Sequence, residues 1–128
     1  MVINFSINYL AVFVASLVSF VFGWLWYGHL FGKVWSKANR VKMEKKLKPL
    51  KLLFHFLTTL ILVLFFSFLL NGNLIYHLVI VVVIWVGFLV SIRLSSMIWI
   101  KQSWNLFFVD VTYHLINLIV IVLMLSLF

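Results

Sequence analysis

The stretch Lys33-Val34-Trp35-Ser36-Lys37-Ala38-Asn39-Arg40-Val41-Lys42-Met43-Glu44-Lys45-Lys46-Leu47-Lys48-Pro49-Leu50-Lys51 carries eight of the ten Lys and Arg residues in a chain of 128. On both sides of it the sequence is almost continuously apolar. The chain is 66% hydrophobic and 9% charged, where a soluble domain carries roughly 25% charged residues. The apolar runs therefore read as membrane spans and the basic stretch as the connection between two of them. A span needs about 20 apolar residues, and the chain divides into four, at residues 4–28, 50–71, 74–98 and 104–127. Asn71-Gly72-Asn73 suits a tight reversal, and Pro49 suits the first turn of the second span. The expected fold is all-α: one polytopic transmembrane domain over residues 1–128, with four helices and a basic amphipathic connection between the first and second.

Charge orients this arrangement. Lysine and arginine are retained on the cytoplasmic side of a membrane, so the first connection is expected there. Four spans then place both termini outside the cytoplasm and return Lys101, in the third connection, to it. The two basic regions agree. The first span is not expected to be a cleaved signal, since it lacks a charged leading region and runs into Gly23-Trp24-Leu25-Trp26-Tyr27 rather than a small-residue cleavage site. With no cysteine, disulfides and thiolate chemistry are excluded. A sequence pI near 10.1 does not point to nucleic acid, because one connection supplies most of the charge.

Within that connection Phe31, Val34, Trp35, Ala38 and Val41 recur at helical spacing, with Lys33, Lys37, Arg40 and Lys42 largely elsewhere around the turn. Such a segment can lie on a membrane surface. Lys42, Lys45, Lys46 and Lys48 would then meet anionic lipid headgroups, at about 1 kcal/mol each. The alternative is that the charge serves orientation alone. Membrane lipids are the expected partners in the first case.

Small residues recur every four positions at Ala11, Ala15, Ser19 and Gly23, a strip along which helices can touch closely. Gly87, Ser91 and Ser95 form a second strip, with Arg93 roughly opposite. A third helix wanting protein on both faces predicts a homo-oligomer.

Asn8-Tyr9-Leu10-Ala11-Val12, Trp26-Tyr27, Leu30-Phe31-Gly32-Lys33 with Trp35, and then Trp104, Leu106, Phe107 and Tyr113-His114 resemble a domain-of-unknown-function family of small bacterial membrane proteins. That resemblance implies a four-helix protein of the bacterial cytoplasmic (inner) membrane and supplies no mechanism.

Polar residues inside spans are the functional clues, because each is costly in hydrocarbon and faces a partner or a wet cavity. Asp110, His114 and Asn117, at i, i+4 and i+7, form a polar stripe on one face of the fourth helix. It either lines a path for protons, a cation or a polar solute, or hydrogen-bonds neighbouring helices. His55, with Thr58 and Thr59, enters from the same side at similar depth and completes a candidate site between the second and fourth spans. Arg93 and Asp110 stand eight residues before Lys101 and eight after Gln102, so equal depth predicts an ion pair between them. No metal motif and no cofactor fingerprint is present. Glu44 and Asp110 are the only carboxylate side chains, too few and too far apart for a paired-carboxylate mechanism, so the sequence leans away from an enzyme. The function expected is transport or permeation through the polar stripe. The alternative is a non-catalytic lipid-binding or accessory scaffold.

Overall fold

Short polar residues decide where the helices begin. In the computed structural model, which describes residues 7–39, 48–70, 72–100 and 103–127, Asn8 caps α1 (Tyr9–Trp24): its Oδ1 accepts from the Ala11 amide at 3.2 Å. Asn73 does the same for α4 (Leu74–Ile84), accepting from the Tyr76 amide at 2.9 Å. Ser103 caps α6 (Trp104–Ser126), accepting from the Asn105 amide at 3.1 Å. These side chains satisfy first-turn N–H groups that have no intrahelical partner. At α3 (Pro49–Ser67) the first position is Pro49, which has no N–H to satisfy. The reversal before α4 passes through Gly72 at φ +117°, a conformation other residues rarely adopt.

Two of the long helices are not uniformly α. Beyond α1 the chain widens into a π-helical segment, Leu25–Leu30, closed by the Phe31 amide donating to Trp26 O at 2.8 Å. It then enters the short helix α2 (Gly32–Asn39). Beyond α4 a second π-helical segment, Trp85–Val90, leads directly into α5 (Ser91–Trp99). Among the described residues, four stretches are thereby long and apolar enough to cross a membrane: Tyr9–Gly28, Pro49–Ser67, Leu74–Trp99 and Trp104–Ser126. The protein is a multi-pass membrane protein, all-helical among its described residues.

The first span is the centre of the bundle. It packs against α6 on one side and α3 on the other, while α4 and the second π segment lie on α6. Between helices immersed in lipid, dispersion contacts and hydrogen bonds replace the hydrophobic drive, and the small-residue strip permits close approach. Ala11, Ala15, Ser19 and Gly23 are all buried. Away from the basic end, Val12 and Ala15 meet Val63, Phe66, Ile80, Val81, Leu118, Ile121 and Val122 in one apolar core. Toward the basic end the interior becomes aromatic, with Phe22 and Tyr113 stacked at 5.4 Å and Phe31 folded onto Trp26 at 4.5 Å. Phe31, which the helical spacing places on the lipid-facing edge of the connection, has turned inward, and α2 packs against α6. Outward faces are mostly apolar, for example Phe13, Leu17, Ile61, Phe65, Val83 and Phe108.

The third span is the least enclosed: Ile80 and Val81 are its buried residues, and Gly87, Ser91 and Ser95 are exposed. In one copy of the chain that strip contributes nothing to helix packing.

Candidate functional site: a three-span charge cluster

Asp110 stands in the second turn of α6 and is met by side chains from two other spans. Its Oδ1 accepts from the Tyr27 hydroxyl at 2.7 Å, and its Oδ2 accepts from Arg93 Nη2 at 3.0 Å. Tyr27 belongs to the first π segment, and Arg93 lies three residues beyond the second. A π turn holds more residues than an α turn, so it re-aims every side chain that follows it. Both donors to Asp110 are thus delivered by helices whose register has been altered within or just before them. The second π segment is itself tied to α6, because Trp85 Nε1 donates to Val111 O at 2.7 Å. Ser91 Oγ donates to Val86 O, five residues back, at 3.1 Å.

The cluster is neutral overall and not sealed: the Arg93 and Asp110 side chains are 23% and 18% exposed. An ion pair in such a place avoids the cost of an isolated charge in hydrocarbon, about 2.5–3.5 kcal/mol on insertion scales. Around it sit aromatic rings. Tyr27 meets Tyr113 edge-on at 4.9 Å, Tyr113 lies 6.1 Å from Trp26, and His114 meets Tyr113 at 5.2 Å.

Further along α6, Asn117 is 3% exposed and its Oδ1 accepts from Ser19 Oγ at 2.6 Å. Asp110 and Asn117 both bond to the first span, so these two members of the stripe lie in the seam between α1 and α6. His114, half-buried, stands between them in sequence. His55 is elsewhere. It is exposed on α3, its ring 5.3 Å from Phe20, and its carbonyl accepts from the hydroxyls of Thr58 at 2.7 Å and Thr59 at 3.0 Å. Because α3 packs on α1 rather than on α6, the structure does not bring His55 to Asp110. Similar depth along two helices does not place them side by side.

Among the headgroup candidates, Lys48 is exposed just before α3, and Lys42, Lys45 and Lys46 lie outside the described residues, as does Lys101. Lys33, Lys37 and Lys51 are exposed at the same end of the bundle. No group of three or more His, Cys, Asp or Glu side chains placed to hold a metal occurs among the described residues.

The sequence reading missed Tyr27. Its signal was present: Ala11, Ala15, Ser19, Gly23 and Tyr27 continue one four-residue period, so the strip that seats α1 on α6 ends on the side chain that reaches Asp110. Tyr113 was likewise visible only as part of a motif, and it fills the notch at Gly23, where an added Cβ would stand 2.8 Å from its hydroxyl oxygen.

Comparison with curated proteins and with solved structures finds no match to the chain. A family model does match, over residues 10–126, and that range takes in the α1 strip, Tyr27, Arg93, Asp110 and Asn117. With nearly its whole length covered, the chain belongs to the family described as "Protein of unknown function (DUF1761)".

Proposed function

We propose that this protein is a transport- or permeation-type protein of the bacterial cytoplasmic membrane in which the Tyr27–Asp110–Arg93 cluster is the polar step, with the basic end facing the cytoplasm and both termini outside it. One observation carries the reading: an ion pair drawn from two spans, with a phenol from a third, is left partly exposed at membrane depth beside two π-helical segments. Ionisable groups within spans mark ion and solute paths, and π turns recur at functional sites. One copy offers little room for a pore, so the reading includes a homo-oligomer, with the exposed Gly87, Ser91 and Ser95 face of the third span available for association.

Proteoliposomes containing the purified protein test this by counterflow of small labelled cations and anions. Saturable uptake that Asp110→Asn abolishes is the expected result. Uptake no faster than in empty vesicles, for every solute class and with correctly folded protein, would overturn it. The lipid-binding scaffold reading would then take its place, supported by the exposed Lys33, Lys37, Lys48 and Lys51 and by the exposed indoles of Trp24, Trp99 and Trp104 at the same end. Lysines suit anionic headgroups and indoles suit the interface.

A further inference from the structure

The cluster contains its own clue to the kind of solute it would accept. Asp110 has two carboxylate oxygens, each engaged by a donor. A solute entering here has two ways to compete: as an anion it replaces Asp110 on Arg93 and Tyr27, and as a cation it replaces Arg93 on Asp110. The two routes differ in what must move and in what surrounds the newcomer.

The carboxylate is the stationary partner. α6 runs without interruption from Trp104 to Ser126, holding Asp110 in the second turn of a regular helix. Arg93 reaches it on a long flexible side chain, from a helix that is π-helical until three residues before it. The span bearing Arg93 is also the least enclosed of the four. Displacing Arg93 therefore costs less reorganisation than displacing Asp110.

The lining breaks the tie in the same direction. Tyr27, whose hydroxyl bonds the carboxylate, meets Tyr113 edge-on at 4.9 Å, while Tyr113 is itself buried with Phe22 stacked on it at 5.4 Å. Aromatic rings carry a negative quadrupole over their faces and attract cations, most strongly when water is excluded. A cation held on Asp110 would have the carboxylate and stand beside the Tyr27 ring, an attraction that an anion would forgo.

We infer that the Asp110 site takes a small organic cation bearing N–H donors, a primary ammonium or a guanidinium, in exchange for the Arg93 guanidinium. The inference rests on the transport reading and names the substrate class of that site. Arg93 acts as a built-in competitor that keeps the site neutral when no solute is present. Binding of the cation and formation of the Arg93–Asp110 pair exclude each other, and the apparent affinity is lowered by the fraction of protein in which the pair is closed.

Equilibrium dialysis of the full chain in phosphatidylcholine nanodiscs, with labelled methylguanidinium as probe and constant ionic strength, tests this. In the wild-type protein, propylammonium should displace the probe and acetate and methylphosphonate should not. Asp110→Asn should weaken retention about ten-fold or more, and Arg93→Gln should tighten it about ten-fold, as expected if one competing interaction is removed. Displacement by acetate, no probe retained by wild type, or an Arg93→Gln protein that binds no tighter than wild type would each overturn the inference. Should Asp110→Asn fail to fold, the wild-type competition and Arg93→Gln still decide. Retention of the cation with no counterflow in proteoliposomes would remove the transport reading and leave the site, whereas counterflow of an anion with no cation retained would do the reverse.

Discussion

Gly23 and Tyr113 form a tight fit between α1 and α6, since a Cβ added at position 23 would sit 2.8 Å from the Tyr113 hydroxyl oxygen. Tyr113 is held in place by its stack on Phe22, so it has little freedom to withdraw. Gly23→Ala should therefore destabilise the fold by about 1–3 kcal/mol, the usual cost of overpacking. Gly28→Ala, where nothing lies within 4 Å of the added atom, should not. Tyr113→Phe removes the clashing oxygen and should recover most of the Gly23→Ala loss, which unfolding in mild detergent can measure. At Asp110 the same logic applies to charge. Removing either Arg93 or Asp110 leaves a partly buried ion without its partner, so each single alanine variant should be less stable than the double variant. A double-mutant cycle should give a coupling of about 0.5–3 kcal/mol. Strict additivity would mean that the 3.0 Å contact contributes nothing to stability. The polar members of this cluster could be listed from sequence, because Asp and Arg in an apolar run are conspicuous. Tyr27 was not, since a tyrosine near a span end has an ordinary place at the interface.

At the scale of elements, the spans and most of their ends are legible in the chain. Asn8, Asn73 and Ser103 precede apolar runs, and Pro49 opens one. The π segments are not legible: Leu25–Leu30 and Trp85–Val90 are as apolar and aromatic as their surroundings, and no local preference separates π from α there. What holds the second one in register is tertiary, namely the Trp85 bond to Val111 O on one side and the Arg93 bond to Asp110 on the other. A π turn is a helical turn that has taken in an extra residue, so deleting Gly87 should let this segment relax to α-helix while α4 and α5 keep their present directions. The Trp85 and Arg93 bonds could then both be kept. The deletion should cost less stability than Arg93→Ala, measured by unfolding in mild detergent. A loss as large as that of Arg93→Ala would show that the π turn itself is needed to hold the two bonds.

For the whole molecule, the expected topology is testable without any knowledge of function. The chain has no cysteine of its own, so single cysteines placed at positions 45 and 102 should react from the cytoplasmic side and one at position 72 from the other. Labelling of position 72 from the cytoplasm would reverse the assignment. Neutralising Lys42, Lys45, Lys46 and Lys48 should loosen the connection from anionic bilayers, as should raised salt. A probe near Trp35 reporting equal depth in neutral and anionic vesicles would leave only the orienting role for these charges. Composition and charge placement alone determined the all-helical class, the four spans and a basic connection, because the membrane imposes length and apolarity on every residue of a span regardless of its neighbours. Which helix lies beside which was decided only in three dimensions. His55 and Asp110 share a depth yet sit on helices that do not pack together, while Tyr27, at the far end of the α1 strip, reaches Asp110. Lipid treats all apolar faces alike, so the neighbour relations rest on the few places where small residues, hydroxyls and one carboxylate meet a matching surface, and that matching exists only between helices, not along any one of them.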